Sequence, residues 1–200
     1  MKYNAIAKEI HANNVAKGWW DNPRSGECLT MLVISELAEA TEAVRAKLPP
    51  VCFIKMDDEV IATPDCDIAS FMSVKIGGQQ FMRKPEGEAV EIVDAMIRIL
   101  DMVGYDMAGS ETNDIDAIMD EAREFAKSQR LPKMENGIEY HYLLTACLVN
   151  MGVPPIARIA SFISTVEKYF DFMGWDLENI IHLKMEYNLT REHRHGGKAF

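Results

Sequence analysis

Two pairs of carboxylates set into apolar helical runs constrain this chain more than any other feature. Glu36 and Glu39 lie inside Leu29-Thr-Met-Leu-Val-Ile-Ser-Glu-Leu-Ala-Glu-Ala. At about 100° per residue, Leu29, Leu32, Val33, Leu37, Ala40 and Val44 share one helical stripe. Glu36 falls near the middle of that stripe and Glu39 at its edge. A carboxylate aimed at a core is unfavourable by several kcal/mol unless it is paired, protonated or bound to a metal. Glu91 and Asp94 repeat the same i, i+3 spacing on a second apolar helix. Residues three apart share a helical face, so two antiparallel helices can converge four carboxylates on a small volume. Their repulsion raises their pKa values, and a hard divalent cation relieves it. Oxygen-only ligands favour Mg²⁺, Mn²⁺ or Ca²⁺ over zinc.

The second helix of this pair carries a narrow polar stripe of Glu91, Asp94, Arg98 and Asp101 on an otherwise apolar circumference. Taken alone, that stripe reads as the water-facing side of a surface helix, the usual place for carboxylates. Glu36 resists that reading because its own stripe is apolar. Glu42 points away from the stripe and reads as solvated.

Most of the chain has helical periodicity. The spacing predicts helices over roughly 3–18, 26–48, 86–104, 114–130, 138–151, 155–173 and 176–190. Ser25 and Asp176 are candidate caps, and Pro154-Pro155 open the sixth helix. Gly18, Pro49-Pro50, Gly104 and Gly152 read as stops. Residues 51–84 break the pattern with the β-prone runs Val51-Cys-Phe-Ile-Lys, Glu59-Val-Ile-Ala and Phe71-Met-Ser-Val-Lys-Ile. They read as a β-hairpin or irregular insertion.

A faint repeat pairs Ile6-Ala-Lys-Glu-Ile-His with Ile118-Met-Asp-Glu-Ala-Arg, and Met102-Val-Gly-Tyr-Asp-Met with Phe172-Met-Gly-Trp-Asp-Leu. In that alignment Glu36 and Glu39 match Cys147 and Asn150, while Glu91 and Asp94 match Ser161 and Ser164. The second copy has then lost all four carboxylates. Chance similarity between amphipathic helices is the competing account. The reading is one domain over 1–200. Residues 1–106 form a metal-binding half, with the insertion at 49–85. Residues 107–200 form a degenerate second half that ends in a basic motif.

The net charge of −10 argues against a polymeric nucleic-acid partner. No apolar run of about 18 residues is present, so no membrane span is expected. The N-terminal segment lacks the apolar stretch of a signal peptide. Cys28, Cys52, Cys66 and Cys147 are scattered and read as reduced thiols of a cytoplasmic protein. Against the acidic body, the last residues are basic. Lys184, Asn188 and Arg191 fall on one helical face, followed by Lys198 and the pair Gly196-Gly197. Lys and Arg hold phosphate oxygens, and glycine lets backbone N–H groups approach an anion. A solvated basic helix with a frayed tail is the plainer alternative. Trp19 and Trp20 can stack on a base or plug the gap between helix ends. A di-iron bundle needs Glu-x-x-His pairs within helices. The only such spacing here, Glu192 to His195, sits beside Gly-Gly in the tail.

Four segments together resemble the MazG-like proteins. They are Lys17-Gly-Trp-Trp-Asp-Asn-Pro, Ser35-Glu-Leu-Ala-Glu-Ala-Thr-Glu-Ala-Val-Arg, Glu91-Ile-Val-Asp-Ala-Met-Ile-Arg-Ile-Leu-Asp and Lys184-Met-Glu-Tyr-Asn-Leu-Thr-Arg-Glu-His-Arg-His-Gly-Gly-Lys-Ala-Phe. That family belongs to the all-α nucleoside triphosphate pyrophosphohydrolases, with the dimeric dUTPases and dCTP pyrophosphatases. The resemblance implies an all-α helical bundle that hydrolyses a nucleoside triphosphate to monophosphate and pyrophosphate. It implies that Glu36, Glu39, Glu91 and Asp94 hold Mg²⁺, with Mn²⁺ as a substitute, and that Glu39 or Glu36 handles the attacking water. Lys184 and Arg191 are implied as phosphate ligands and Asn188 as a further substrate contact; Lys198, Trp19 and Trp20 are counted with them. It also implies a homodimer or larger homo-oligomer. Residues 49–85 and 107–173 depart from the family's short connections. The alternative expectation is a non-catalytic nucleotide- or protein-binding helical protein whose acidic pairs are ion-paired to residues such as Arg98.

Overall fold

A computed structural model describes residues 1–22, 24–54, 60–62, 73–76, 79–109, 114–127, 134 and 136–194. The described chain is mostly helical. Its helices are α1 (Tyr3–Ala16), α2 (Gly26–Arg45), α3 (Glu88–Gly109), α4 (Ile115–Lys127), α5 (Gly137–Val149), α6 (Pro155–Met173) and α7 (Leu177–Thr190). Short strands β1 (Cys52–Ile54), β2 (Val60–Ala62), β3 (Ser73–Ile76), β4 (Gln79–Met82) and β5 (Pro85–Glu86) lie between α2 and α3. No helix among the described residues is long and apolar enough to cross a membrane.

The helix starts follow from local chemistry. Ser25 accepts a hydrogen bond from the Cys28 amide at 3.2 Å, and Asp176 accepts one from Asn179 at 3.0 Å. Each satisfies an amide that the first turn leaves without a partner. Pro155 occupies the first turn of α6, where a missing N–H costs nothing. Gly174 ends α6 in the left-handed region at φ 71°, where glycine has no Cβ to clash.

Helix α3 is the centre of the fold. Both α1 and α2 pack on it, and so do α6 and α7. In the second half α4 and α5 both pack on α6, repeating the pairing of α1 and α2 with α3, and α2 packs on α5. A single apolar cluster runs through these contacts, including Val33, Leu37, Met96, Leu100, Phe162, Phe170 and Ile181. The apolar circumference of α3 is therefore consumed within the chain. Its partners are α1, α2, α6 and α7.

Gly104 does not stop α3, although its position in the sequence predicts that it would. The helix continues to Gly109, and Gly104 is buried where α1 crosses it. A Cβ at this position would clash with the Ala7 carbonyl oxygen and lie 2.6 Å from His11 Cβ. The glycine serves a close approach of two helices rather than a cap. The repeat alignment equates Gly104 with Gly174, yet one is helical and the other is an αL cap, so the match there is coincidental. Gly104→Ala should push α1 off α3 and cost about 1–3 kcal/mol. Urea denaturation should show a lower midpoint at unchanged slope.

The insertion contains strands within the β-prone runs and extends past them. β1 pairs antiparallel with both β2 and β5, and β3 pairs antiparallel with β4. Residues 55–59, 63–72 and 77–78 lie outside the described residues, and so do parts of all three runs. Pro85 and Glu86 form β5, so α3 begins at Glu88 and not near 86. The base of the insertion is tied to the bundle. Phe53 is fully buried against Leu183 of α7, and the Ala89 amide donates to the Pro50 carbonyl at 3.1 Å.

Candidate metal centre

The packing of α2 on α3 brings carboxylate oxygens of Glu36, Glu91 and Asp94 within 4.8 Å of one another. Glu91 is only 2% exposed and Glu36 only 7%. The polar stripe of α3 thus faces inward, and its reading as a solvated face is overturned for Glu91 and Asp101. The cause is the packing: α1, α2 and α7 close around the stripe, with Lys184 of α7 set against Asp94. Glu39 stays exposed on the wall of the cavity that adjoins the cluster. Glu42 is exposed, as its place off the stripe predicts, and pairs with Arg45 at 2.6 Å.

Neither oxygen of Glu91 has a hydrogen-bond partner among the described residues, although both are buried. Burial, the nearby Asp94 carboxylate and the neighbouring Glu86 carboxyl push its pKa up to about 9, against the opposing pull of Lys184 and Lys84. Burial also raises Glu36, opposed by Arg98. An orphaned buried carboxylate beside two more oxygen ligands suits a hard divalent cation, which would supply the missing partner. The residues present therefore fit Mg²⁺ or Mn²⁺.

Protein cations hold two of these carboxylates. Arg98 places Nε at 2.7 Å and a terminal nitrogen at 2.5 Å from the same Glu36 oxygen. Lys184 is 1% exposed, and its Nζ lies 2.6 Å from Asp94 Oδ2 and 3.5 Å from the Pro85 carbonyl. Lys184 is therefore a buried counter-ion of the acidic cluster and not part of the cavity wall.

The cavity beside the cluster holds about 180 Å³ between α1, α2, α3 and α7. Of the residues that the sequence singles out, Trp19, Glu36, Glu39, Asp94, Asn188 and Arg191 line it. Asn188 Oδ1 is buried without a partner, and the Arg191 guanidinium packs 5.8 Å from the Tyr187 ring. Lys198, His195 and Gly196-Gly197 lie outside the described residues.

Arg98 and Asp101 of the polar stripe also line it, and sequence reasoning misses Asn13, Asn14, Lys17, Arg24 and Lys84. Two adjacent asparagines inside a helix, where their propensity is poor, are the available signal for the first pair. Lys17 donates to the carbonyls of Leu189 at 2.9 Å and of Arg191. Arg194 returns the contact, donating from its backbone to Lys17 O and from its side chain to Gly18 O and Asp21, each at 3.0 Å. The basic tail is thus fastened to the loop after α1 at Arg194.

Trp20 is not among the cavity-lining residues. Its Nε1 donates to both Asp101 oxygens at 3.0 and 3.1 Å, and its ring stacks on Tyr105 at 4.4 Å. It plugs the gap between helix ends. Asp101 also accepts from Asn14 at 2.8 Å and lies 2.9 Å from His11 Nδ1. Among the described residues Cys28, Cys52 and Cys147 are free thiols, and Cys66 lies outside them.

Comparisons of this chain with protein-family models, with curated proteins and with solved structures find no match.

Proposed function

We propose that this chain is a divalent-metal-dependent hydrolase that cleaves a nucleoside triphosphate to the monophosphate and pyrophosphate. The observation that carries the reading is Glu91, a buried carboxylate whose oxygens find no hydrogen-bond partner among the described residues, facing Glu36 and Asp94 beside a cavity lined by both carboxylates and cations, Arg98 and Arg191 among them. Glu36, Glu91 and Asp94 would hold the cation, with Glu39 available from the next turn of α2. When bound, Mg²⁺ or Mn²⁺ supplies Lewis acidity, neutralising phosphate charge and acidifying water.

The chain's own groups account for the remaining chemistry. Glu39 stands on the cavity wall, exposed and one turn from Glu36, where it can take the proton of an attacking water. Attack at the α-phosphorus breaks its bond to the bridging oxygen, and pyrophosphate leaves with that oxygen. Arg191 and Asn188 face the same cavity and can donate to phosphate oxygens, stabilising charge that develops on the leaving group. Trp19 offers an aromatic wall for a base.

The test is a pyrophosphate-release screen over common and modified nucleoside triphosphates, with Mg²⁺ and with EDTA. Release should require the metal, and Glu39→Gln should lower it by roughly a hundredfold with little change in melting temperature. Metal-independent release, or full activity in the variant, would sink the assignment of Glu39. A non-catalytic binding protein is the second reading, favoured by the Glu36–Arg98 and Asp94–Lys184 pairs that already neutralise part of the cluster. It predicts no pyrophosphate with any substrate, whether or not nucleotide raises the melting temperature.

A further inference from the structure

Arg98 stands in a position that no phosphate or metal role yet accounts for. Its guanidinium is 39% exposed, lines the cavity, and directs two nitrogens at one oxygen of Glu36. Lys184, the cation paired with Asp94, is buried at 1% exposure and held by both Asp94 and the Pro85 carbonyl. The two cations therefore differ in freedom. Lys184 is enclosed by the bundle, whereas Arg98 can swing about its own long side chain into the cavity.

Resting on the reading of the acidic cluster as a cation site and the cavity as a triphosphate site, we infer that Arg98 is an exchangeable counter-ion. It neutralises Glu36 when no divalent cation is bound. With cation and substrate present, it turns from Glu36 to the phosphate oxygens. The grounds are charge and reach. Glu36 is too buried to follow Arg98 outward, so a cation arriving at Glu36 meets a competing positive charge within hydrogen-bond distance. Like charges so close repel strongly in a partly desolvated site. The repulsion is relieved when the guanidinium moves into the cavity, where a triphosphate supplies the anionic oxygens that its planar fork fits. Metal binding and phosphate binding are thereby coupled through one side chain, because each makes Arg98's move more favourable for the other.

The inference predicts opposite signs for two affinities. Mn²⁺ alone and inorganic tripolyphosphate in saturating Mn²⁺ are titrated calorimetrically into the wild-type chain, Arg98→Met and Arg98→Lys. Arg98→Met should bind Mn²⁺ roughly tenfold more tightly, since the competitor is gone. It should bind tripolyphosphate roughly tenfold more weakly, since a bidentate donor is gone. Arg98→Lys keeps the charge without the fork and should fall between on both axes, and circular dichroism confirms folding of each variant. Weaker Mn²⁺ binding in Arg98→Met would overturn the inference and make Arg98 a residue that orients Glu36. Unchanged tripolyphosphate binding would overturn it too. Absence of Mn²⁺ binding in the wild-type chain would instead overturn the cation-site reading, and the inference with it.

Discussion

Glu91→Gln should abolish metal-dependent turnover and yet stabilise the metal-free protein. The loss follows from the loss of an anionic ligand that has no other partner, and at least about a thousandfold is expected. The gain follows from linkage. Unfolded, Glu91 ionises near its ordinary pKa of 4.5, and folded it ionises near 9. Between those values the native state holds a proton that the unfolded chain has released. The contribution of Glu91 to stability is therefore full below pH 4.5 and is lost progressively as pH rises toward 9. Glutamine has nearly the same shape and the same unpartnered burial but never the charge. At pH 8 the variant should exceed the wild type by up to about 5 kcal/mol in metal-free denaturant melts, and the two should converge near pH 5. Mg²⁺ or Mn²⁺ should reverse the order by binding the ionised carboxylate only in the wild type, with proton release on binding. A variant that is less stable than wild type at pH 8 in EDTA would refute the account of Glu91 as a group held against its ionisation.

The conflict between charge and burial is only partly legible in the sequence. Glu36 sits within an apolar stripe, and periodicity alone puts it near the core, where it is. Glu91 gives no such sign. Its helix is apolar on most sides, and a narrow polar stripe on such a helix ordinarily faces water. Only the placement of α1, α2 and α7 around that stripe buries Glu91 and Asp101, and placement of helices is a tertiary fact that periodicity does not carry. The helix starts are legible because caps are local: Ser25, Asp176 and the Pro154-Pro155 pair act within one turn. The end of α3 is not, because a glycine that caps and a glycine that admits a neighbouring helix look alike in sequence. Gly104 is of the second kind.

The basic face of α7 shows the same limit. The spacing of Lys184, Asn188 and Arg191 puts them on one helical face, but their roles separate by depth. Lys184 is enclosed where β5 passes α7 and neutralises Asp94, while Asn188 and Arg191 reach the cavity. Depth within a bundle depends on what lies above the helix. Here that is a two-residue strand whose second residue, Glu86, reads by periodicity as the start of α3. Arg98 belongs to the same class of residue. Its place on the polar stripe marks it as an ion-pair partner, and only the packing of α2 on α3 gives it Glu36.

Asp101→Ala should be among the most destabilising single changes in the chain, by about 3–5 kcal/mol. The Asp101 carboxylate receives Trp20 Nε1, Asn14 Nδ2 and the His11 ring from α1 and the loop that follows it. Asp101 is 7% exposed and its three donors are half-buried, so water entering from the cavity replaces it only in part. Removing it takes the acceptor from all three at once, which costs more than the bonds contributed. The damage should extend to the cavity, because Asn14 and Asp101 both line it and Trp20 is stacked on Tyr105 and lies 5.0 Å from His11 in an edge contact. Asp101→Asn keeps the shape and one accepting oxygen but turns an N–H toward groups that donate. Its cost should be intermediate. Urea titrations of both variants, followed by tryptophan fluorescence, measure the loss of stability and the release of the indole together. A cost below about 1 kcal/mol for Asp101→Ala would show that the three donors find other acceptors, and that Asp101 is not the junction holding α1, the loop and α3 around the cavity.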